Sequence, residues 1–331
     1  MSLPNLTCAQ PTDINRLAGF NLITVQLMNL TTGLITIFFS MLATEIVLKK
    51  SIFENSTKIL LLLSMLYAVL YQITNGLEAA TIVYKHFFKL DKPCELLQLE
   101  SDCAPYMKTA LTCTSGMIYC QTGLIIERGL ATFLRNHNTR KSFISGTFIA
   151  LFVIVGSLLT GPIIYWDDPL EGAILACFIF PKQSSNRSTV YFFIVTGVTV
   201  FNVLSSLWLS KYNEKLEYQI RFKLCARFHK REVIESTGTI CFLTFTQFIF
   251  MFIYSFGIAT LKSIRDRITT EQYQFWVVWF HTVPFIAMLF PISLVYRIRK
   301  TAALRSQILI GICHAKQSQE EHINQMKIIW K

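Results

Sequence analysis

Two isolated ionisable residues, Glu78 and His281, interrupt long apolar runs of the chain, and an adjacent acid–base pair, Glu127-Arg128, closes another. Ionisable groups inside such runs are costly enough to count as functional candidates when the run spans a membrane. A carboxylate and an imidazole brought together form a hydrogen-bonded pair able to grip a polar ligand. The Glu127-Arg128 pair has two readings. Arg128 snorkels to lipid headgroups, or it pairs with Glu127 at rest and exchanges that partner when helices shift. Other chemistry is missing. The sequence holds no His-Glu-x-x-His run, no Cys-x-x-Cys, no glycine-rich phosphate loop and no nucleophile elbow. No set of carboxylates suggests an ion or proton relay. An enzyme or pump is not expected, nor is a cofactor or a metal; Cys113 and Cys120 share a helix face but have no nearby His or carboxylate.

These residues need elements to position them. The chain has 331 residues, 52% hydrophobic and only 15% charged, where soluble domains carry about 25% charged residues. The apolar residues gather into blocks of bilayer length. Seven segments qualify, at 22–48, 59–84, 106–126, 143–165, 190–210, 239–261 and 273–296. They lack the alternation of barrel strands, and only helices or closed barrels satisfy the backbone in lipid. The expected class is therefore all-α, a seven-transmembrane-helix bundle over residues 1–296 with a short N-terminal tail, followed by a tail at 297–331. The net charge of +11 comes from basic residues between the blocks, with no compact basic module for nucleic acid. Residues 1–21 lack the basic start and apolar core of a cleavable signal, so the first span is expected to act as its own insertion signal.

Charge sets the orientation. With the N-terminus outside, cytoplasmic segments hold 21 of the 31 Lys and Arg residues, which places the C-terminus inside. Asn5-Leu6-Thr7 and Asn186-Arg187-Ser188 are then glycosylation acceptors on the outer side, while Asn55-Ser56-Thr57 stays bare inside. Four of the nine cysteines, Cys8, Cys94, Cys103 and Cys177, meet the oxidising side. Of their three pairings we favour Cys103–Cys177, leaving Cys8–Cys94; a single bridge with two free thiols is the alternative. Glu78 and His281 lie roughly 9–12 Å below the outer ends of their spans at ~1.5 Å per residue. If the second and seventh spans are neighbours, the two line an outer cavity as a hydrogen-bonded pair, with Tyr84, Trp276, Trp279 and Phe280 as its aromatic wall; the alternative is a satisfied interhelical contact with no ligand.

The inner surface is basic. In 211–238, Leu216, Ile220, Leu224 and Phe228 recur every four residues beside Arg221, Lys223, Arg227, Lys230 and Arg231. Such a helix lies on an anionic inner leaflet, docks a cytosolic partner, or does both. Arg297 to Arg305 reads as an amphipathic helix, with Cys313 a candidate for palmitoylation.

The seven spans, the cysteine before the third, another in the second outer loop and Glu-Arg at the third span's inner end resemble a G-protein-coupled receptor. More narrowly, Glu127-Arg128-Gly129-Leu130-Ala131-Thr132-Phe133 and the stretch from Tyr212-Asn213 through Arg221-Phe222 to Arg231-Glu232-Val233-Ile234-Glu235-Ser236-Thr237 resemble the nematode serpentine chemoreceptors of class alpha, the Sra family. The likeness covers essentially the whole chain. It departs from rhodopsin-like receptors at Gly129, where an aromatic residue is usual, and at Phe290-Pro291, which precedes Tyr296 by two residues too many for their Asn-Pro-x-x-Tyr motif. The second span has no Asp and the sixth no Pro. The resemblance implies a receptor of sensory neurons that binds a small molecule between its outer helix halves and signals through the Gα subunit of a heterotrimeric G protein. The competing readings are an inverted odorant-gated cation channel, which the loop charges oppose and which shows no pore-lining charge ring, and a transporter.

Overall fold

The computed structural model describes residues 8–49, 53–133, 139–177, 184–219 and 224–314. Nearly all of them are helical. A short helix α1 (Pro11–Ala18) precedes α2 (Phe20–Lys49), α3 (Asn55–Phe88), α4 (Glu100–Phe133), α5 (Thr139–Ile164), α6 (Ser184–Gln219) and α7 (Leu224–Ser263), and the seventh span is made of α8 (Thr270–Phe280) and α9 (Val283–His314). Six spans, all but α4, are long and apolar enough to cross a membrane. The helix α4 fails on composition rather than length, because it packs against α3, α5, α6 and α7 at once and buries Thr114, Ser115, Gln121, Glu127 and Arg128. A central helix meets protein rather than lipid, so its polar residues find partners there. Three rungs join it to α6: Ser115 Oγ to Tyr191 Oη at 2.5 Å, Asn202 Nδ2 to Thr122 Oγ1 at 2.9 Å, and Asn213 Nδ2 to Thr132 Oγ1 at 3.1 Å.

Close helix approach needs small residues. A Cβ built on Gly146 of α5 would lie 2.6 Å from Ser56 Cα of α3, so only glycine lets these backbones touch. The seventh span, read from sequence as one helix, is interrupted at His281-Thr282. Pro284 explains the break: without an N–H it leaves the Phe280 carbonyl unserved and its ring would crowd that oxygen. Thr282 N donates to Phe280 O at 2.8 Å instead, and Thr282 Oγ1 donates to Phe250 O of α7 at 2.7 Å. From Val283 the chain is helical through His314, and no separate helix begins at Arg297.

One end of the bundle is covered. The strands β1 (Gln98–Leu99) and β2 (Ala173–Ile174) pair antiparallel, with Gln98 opposite Ile174. Disulfides join Cys103 to Cys177 and Cys8 to Cys94, tying the cover to α4 and the N-terminal segment to the chain after α3. His86 Nδ1 and the Leu17 carbonyl, 2.8 Å apart, hold α1 against α3. Around this end Phe20, Tyr84, Phe87, Phe88, Trp166, Trp276 and Trp279 project outward. Around the other end Phe133, Phe143, Trp208 and Tyr296 do the same, and Trp208 stacks on Tyr212 at 5.6 Å. Trp276 and Tyr296 are about 30 Å apart along the seventh span at ~1.5 Å per residue, close to the thickness of a bilayer core. Exposed Phe also lies along the spans between them, but the exposed Trp and Tyr among the described residues gather at the two ends, as they do at the two interfaces of a bilayer.

Candidate functional site

Beneath the cover lies a cavity of about 70 Å³ that opens to one side. Tyr71, Asn75 and Glu78 line it from α3, spaced so that they share one helix face. The opposite wall comes from Tyr106, Ala110, Leu111 and Thr114 of α4, with Phe192 of α6, Tyr254 of α7, Cys177 of the cover and His281 at the break completing it. Glu78 and His281 therefore line the same cavity, but they do not bond each other. His281 Nε2 lies 3.2 Å from Tyr71 Oη, and its ring centroid lies 5.9 Å from that of Tyr254. Glu78 Oε1 accepts from Cys177 N at 2.6 Å. The direct pair expected from sequence is replaced by a tyrosine on one side and a backbone amide on the other. Each is nearer and already fixed by its own helix or disulfide.

The expected aromatic wall is also placed differently. Tyr84 is 53% exposed, Trp276 47% and Trp279 38%, and none lines the cavity. They belong to the girdle at the covered end, where a ring with a polar tip suits the headgroups; Trp279 Nε1 donates to Asn21 Oδ1 at 2.9 Å. Phe280 packs behind the cavity on Gly257 of α7, where an added Cβ would lie 2.5 Å from the Phe280 ring. The rings that do line it, Tyr71, Tyr106, Phe192 and Tyr254, were not singled out by sequence. The spacing of Tyr71, Asn75 and Glu78 on one face was a signal available for the first of them.

The cover is clamped to α3 by two charged side chains that use backbone partners. Besides Glu78 and Cys177 N, the buried Lys85 donates to Leu96 O at 2.8 Å and to Leu175 O at 3.5 Å. One carbonyl precedes β1 and the other follows β2. Outside the spans, Lys89 and Glu95 bond each other directly, and that ammonium holds the Glu95 carboxyl below its ordinary range.

At the far end of α4 the acid–base pair lies inside the bundle. Arg128 is 1% exposed and Glu127 fully buried, so Arg128 does not snorkel. Glu127 accepts from Arg128 Nε and Nη2 at 2.6 Å each, from Ser56 Oγ at 2.5 Å and from Thr57 Oγ1 at 2.9 Å. Arg128 also donates to Thr57 Oγ1 at 2.6 Å, to Glu54 Oε2 at 3.4 Å and to Ser236 Oγ of α7 at 3.5 Å. The cluster thus ties α4 firmly to the start of α3 and weakly to α7. Ser56, Thr57, Glu54 and Ser236 were not anticipated. Arg221 and Lys223 lie outside the described residues, as does Asn5, and nothing is described of the side chains of Arg227, Lys230 and Arg231. Asn186 is exposed in the first turn of α6. No group of three or more metal-ligating side chains occurs among the described residues.

A helical bundle capped by disulfides, with a polar cavity at one end and a buried arginine cluster at the other, has the architecture of a serpentine membrane receptor. The family model described as serpentine type 7TM GPCR chemoreceptor Sra matches residues 3–330. The chain belongs to that family. It is 55% identical over 329 residues to serpentine receptor class alpha-8 of Caenorhabditis elegans, covering 99% of this chain and 100% of that one. It is 46% identical to serpentine receptor class alpha-6 and 49% identical to class alpha-7 of the same organism, each matched over its full length. The protein is thus a multi-pass membrane protein of a GPCR-like chemoreceptor family.

Proposed function

We propose that this receptor has its N-terminus outside the cell and its tail inside, binds a small molecule in the cavity between Glu78, Tyr71 and His281, and activates a heterotrimeric G protein. The observation that carries the reading is α4 itself, which lines the cavity at one end and carries the Arg128 cluster at the other. A ligand that repacks Tyr254 or His281 shifts α7 relative to α4. The single bond from Arg128 to Ser236, 3.5 Å long, is the weakest of the cluster and gives first. The opened cleft exposes Arg128 to the Gα subunit, with Arg221, Lys223, Arg227, Lys230 and Arg231 supplying the basic rim that also faces the anionic inner leaflet. On this reading Asn5 and Asn186 carry sugar and Asn55 does not, residues 297–331 are cytoplasmic, and the protein resides in the plasma membrane of sensory neurons or their cilia.

Two measurements test it. Glycan mapping of Asn5, Asn55 and Asn186 reads the topology; sugar on Asn55 with none on the other two would establish the inverted arrangement and refute the receptor orientation. Ligand-stimulated nucleotide exchange on Gα, measured with Glu78→Gln and His281→Phe receptors delivered normally to the surface, reads the site. Altered responses in both are expected, and unchanged responses in both would remove the cavity from the mechanism.

A further inference from the structure

The cavity's charge has a consequence for what it holds, on the reading that it is the ligand site. No Lys or Arg lines it. Glu78 lines it and is buried, yet among the described residues it forms no ion pair, and its second oxygen, Oε2, accepts no hydrogen bond. Lys85, two turns further along α3, attracts the carboxylate only through space, because its ammonium is bound to the Leu96 and Leu175 carbonyls and does not line the cavity. A carboxylate held in low dielectric with one backbone donor is an incomplete site. The rings of Tyr71, Tyr106, Phe192 and Tyr254 line the same cavity, and the face of such a ring attracts a cation. One turn below Glu78, Asn75 Nδ2 is a buried donor with no partner, about 4.5 Å along the helix axis.

We propose that the cavity recognises a small organic cation: a protonated amine that donates to Glu78 Oε2, on an aromatic or short alkyl body whose hydroxyl or carbonyl oxygen accepts from Asn75 Nδ2. The ammonium completes the carboxylate's hydrogen bonding and neutralises it, a charge-assisted bond of the stronger kind. Because Oε1 of the same carboxylate holds Cys177 N, the cation is bound directly against the clamp of the cover.

Three probes of one skeleton and different charge test this: phenylethanolamine, phenylethylene glycol and mandelate. Binding is read as thermal stabilisation of the full-length receptor in lipid nanodiscs, each probe titrated to millimolar concentration. Phenylethanolamine is expected to stabilise the wild type, with the neutral glycol and the anionic mandelate doing so weakly or not at all. Glu78→Gln weakens the amine about tenfold or more, the loss of a hydrogen bond to a charged group, and Glu78→Asp recovers part of it. Intact Cys103–Cys177 bonding by non-reducing peptide mapping shows that the variants have folded. Ala110→Phe, which fills the cavity without touching the clamp, abolishes the amine's effect. Equal or better binding of glycol or mandelate, an undiminished amine effect in folded Glu78→Gln, or no stabilisation by any probe would overturn the proposal. Preference for a neutral or anionic probe with Gα exchange intact overturns only the amine; amine binding with no exchange under any condition overturns the receptor reading and leaves this one standing.

Discussion

Replacing Arg128 by methionine isolates what the buried cluster contributes. The substitution keeps an unbranched apolar side chain but deletes the two 2.6 Å bonds to Glu127, the 2.6 Å bond to Thr57 and the longer contacts to Glu54 and Ser236. Glu127 is then a fully buried carboxylate with two hydroxyl donors, Ser56 and Thr57, and no counter-charge. Breaking a buried pair from one side costs about 3–5 kcal/mol. At 2–4 °C per kcal/mol for a large domain, thermal unfolding in nanodiscs should fall by roughly 10 °C. Adding Glu127→Gln to Arg128→Met removes the stranded charge, keeps an oxygen to accept from one of the two hydroxyls and sets an amide N–H to donate to the other. The double variant should therefore recover about 2 kcal/mol relative to Arg128→Met alone. The assay is unfolding of the four members of this cycle, followed by tryptophan emission in the presence and absence of Gα. An Arg128→Met receptor as stable as the wild type, or a double variant less stable than the single one by the full Glu127→Gln increment, would refute the charge argument, because the cost would then come from lost packing.

Further outcomes follow from named contacts. Gly146→Ala brings a methyl to 2.6 Å from Ser56 Cα; overpacking costs about 1–3 kcal/mol, and Gly146→Ser should be worse, both read by unfolding temperature. Cys103→Ser frees Cys177 and the cover, so hydrogen exchange at Ile174 and Cys177 should rise while that of the α4–α6 rungs is unchanged; uniform exchange throughout would mean that the disulfide holds the whole bundle. Lys85→Met should raise exchange at β1 and β2 in the same way without loss of the disulfide, because it removes the bonds to Leu96 and Leu175. The depressed carboxyl of Glu95 adds stability above its unfolded pKa that is lost as pH falls through its folded value; Lys89→Ala should move its titration by NMR up towards the ordinary carboxylate range.

The plan of the molecule was legible because its signals are collective. Apolar run length, the four pairing cysteines and the Glu127-Arg128 pair each reflect many residues or a covalent bond, and a bundle follows from them. Glu78 and His281 stood out because an ionisable group in an apolar run is rare enough to notice singly. Their partners were not legible. Tyr71 and the Cys177 amide reach them through the antiparallel packing of α3 against its neighbours and through a cover whose position depends on a strand pairing of two residues. The misplacement of Tyr84, Trp276 and Trp279 has a physical cause too. Depth along a helix was readable, but the side of the helix was not, and an aromatic residue near a membrane surface serves a girdle as well as a pocket. Ser56 and Thr57 were hidden inside a glycosylation pattern, where their hydroxyls seemed to belong to Asn55 rather than to Glu127.

The composition of α4 bears on how the chain is made. By length and composition six spans are apolar enough to cross a membrane, while α4 is more polar than they are. A segment that hides Glu127 and Arg128 only after its neighbours surround it has no favourable place in lipid beforehand. During synthesis it is expected to integrate in company with its neighbours, the donors at the start of α3 being made before Glu127. The helix that joins cavity to cluster in the finished receptor is thus the one whose integration depends most on the others. Substitutions at Ser56, Thr57 or Gly146 should appear first as failures of delivery from the endoplasmic reticulum, before any effect on signalling can be measured.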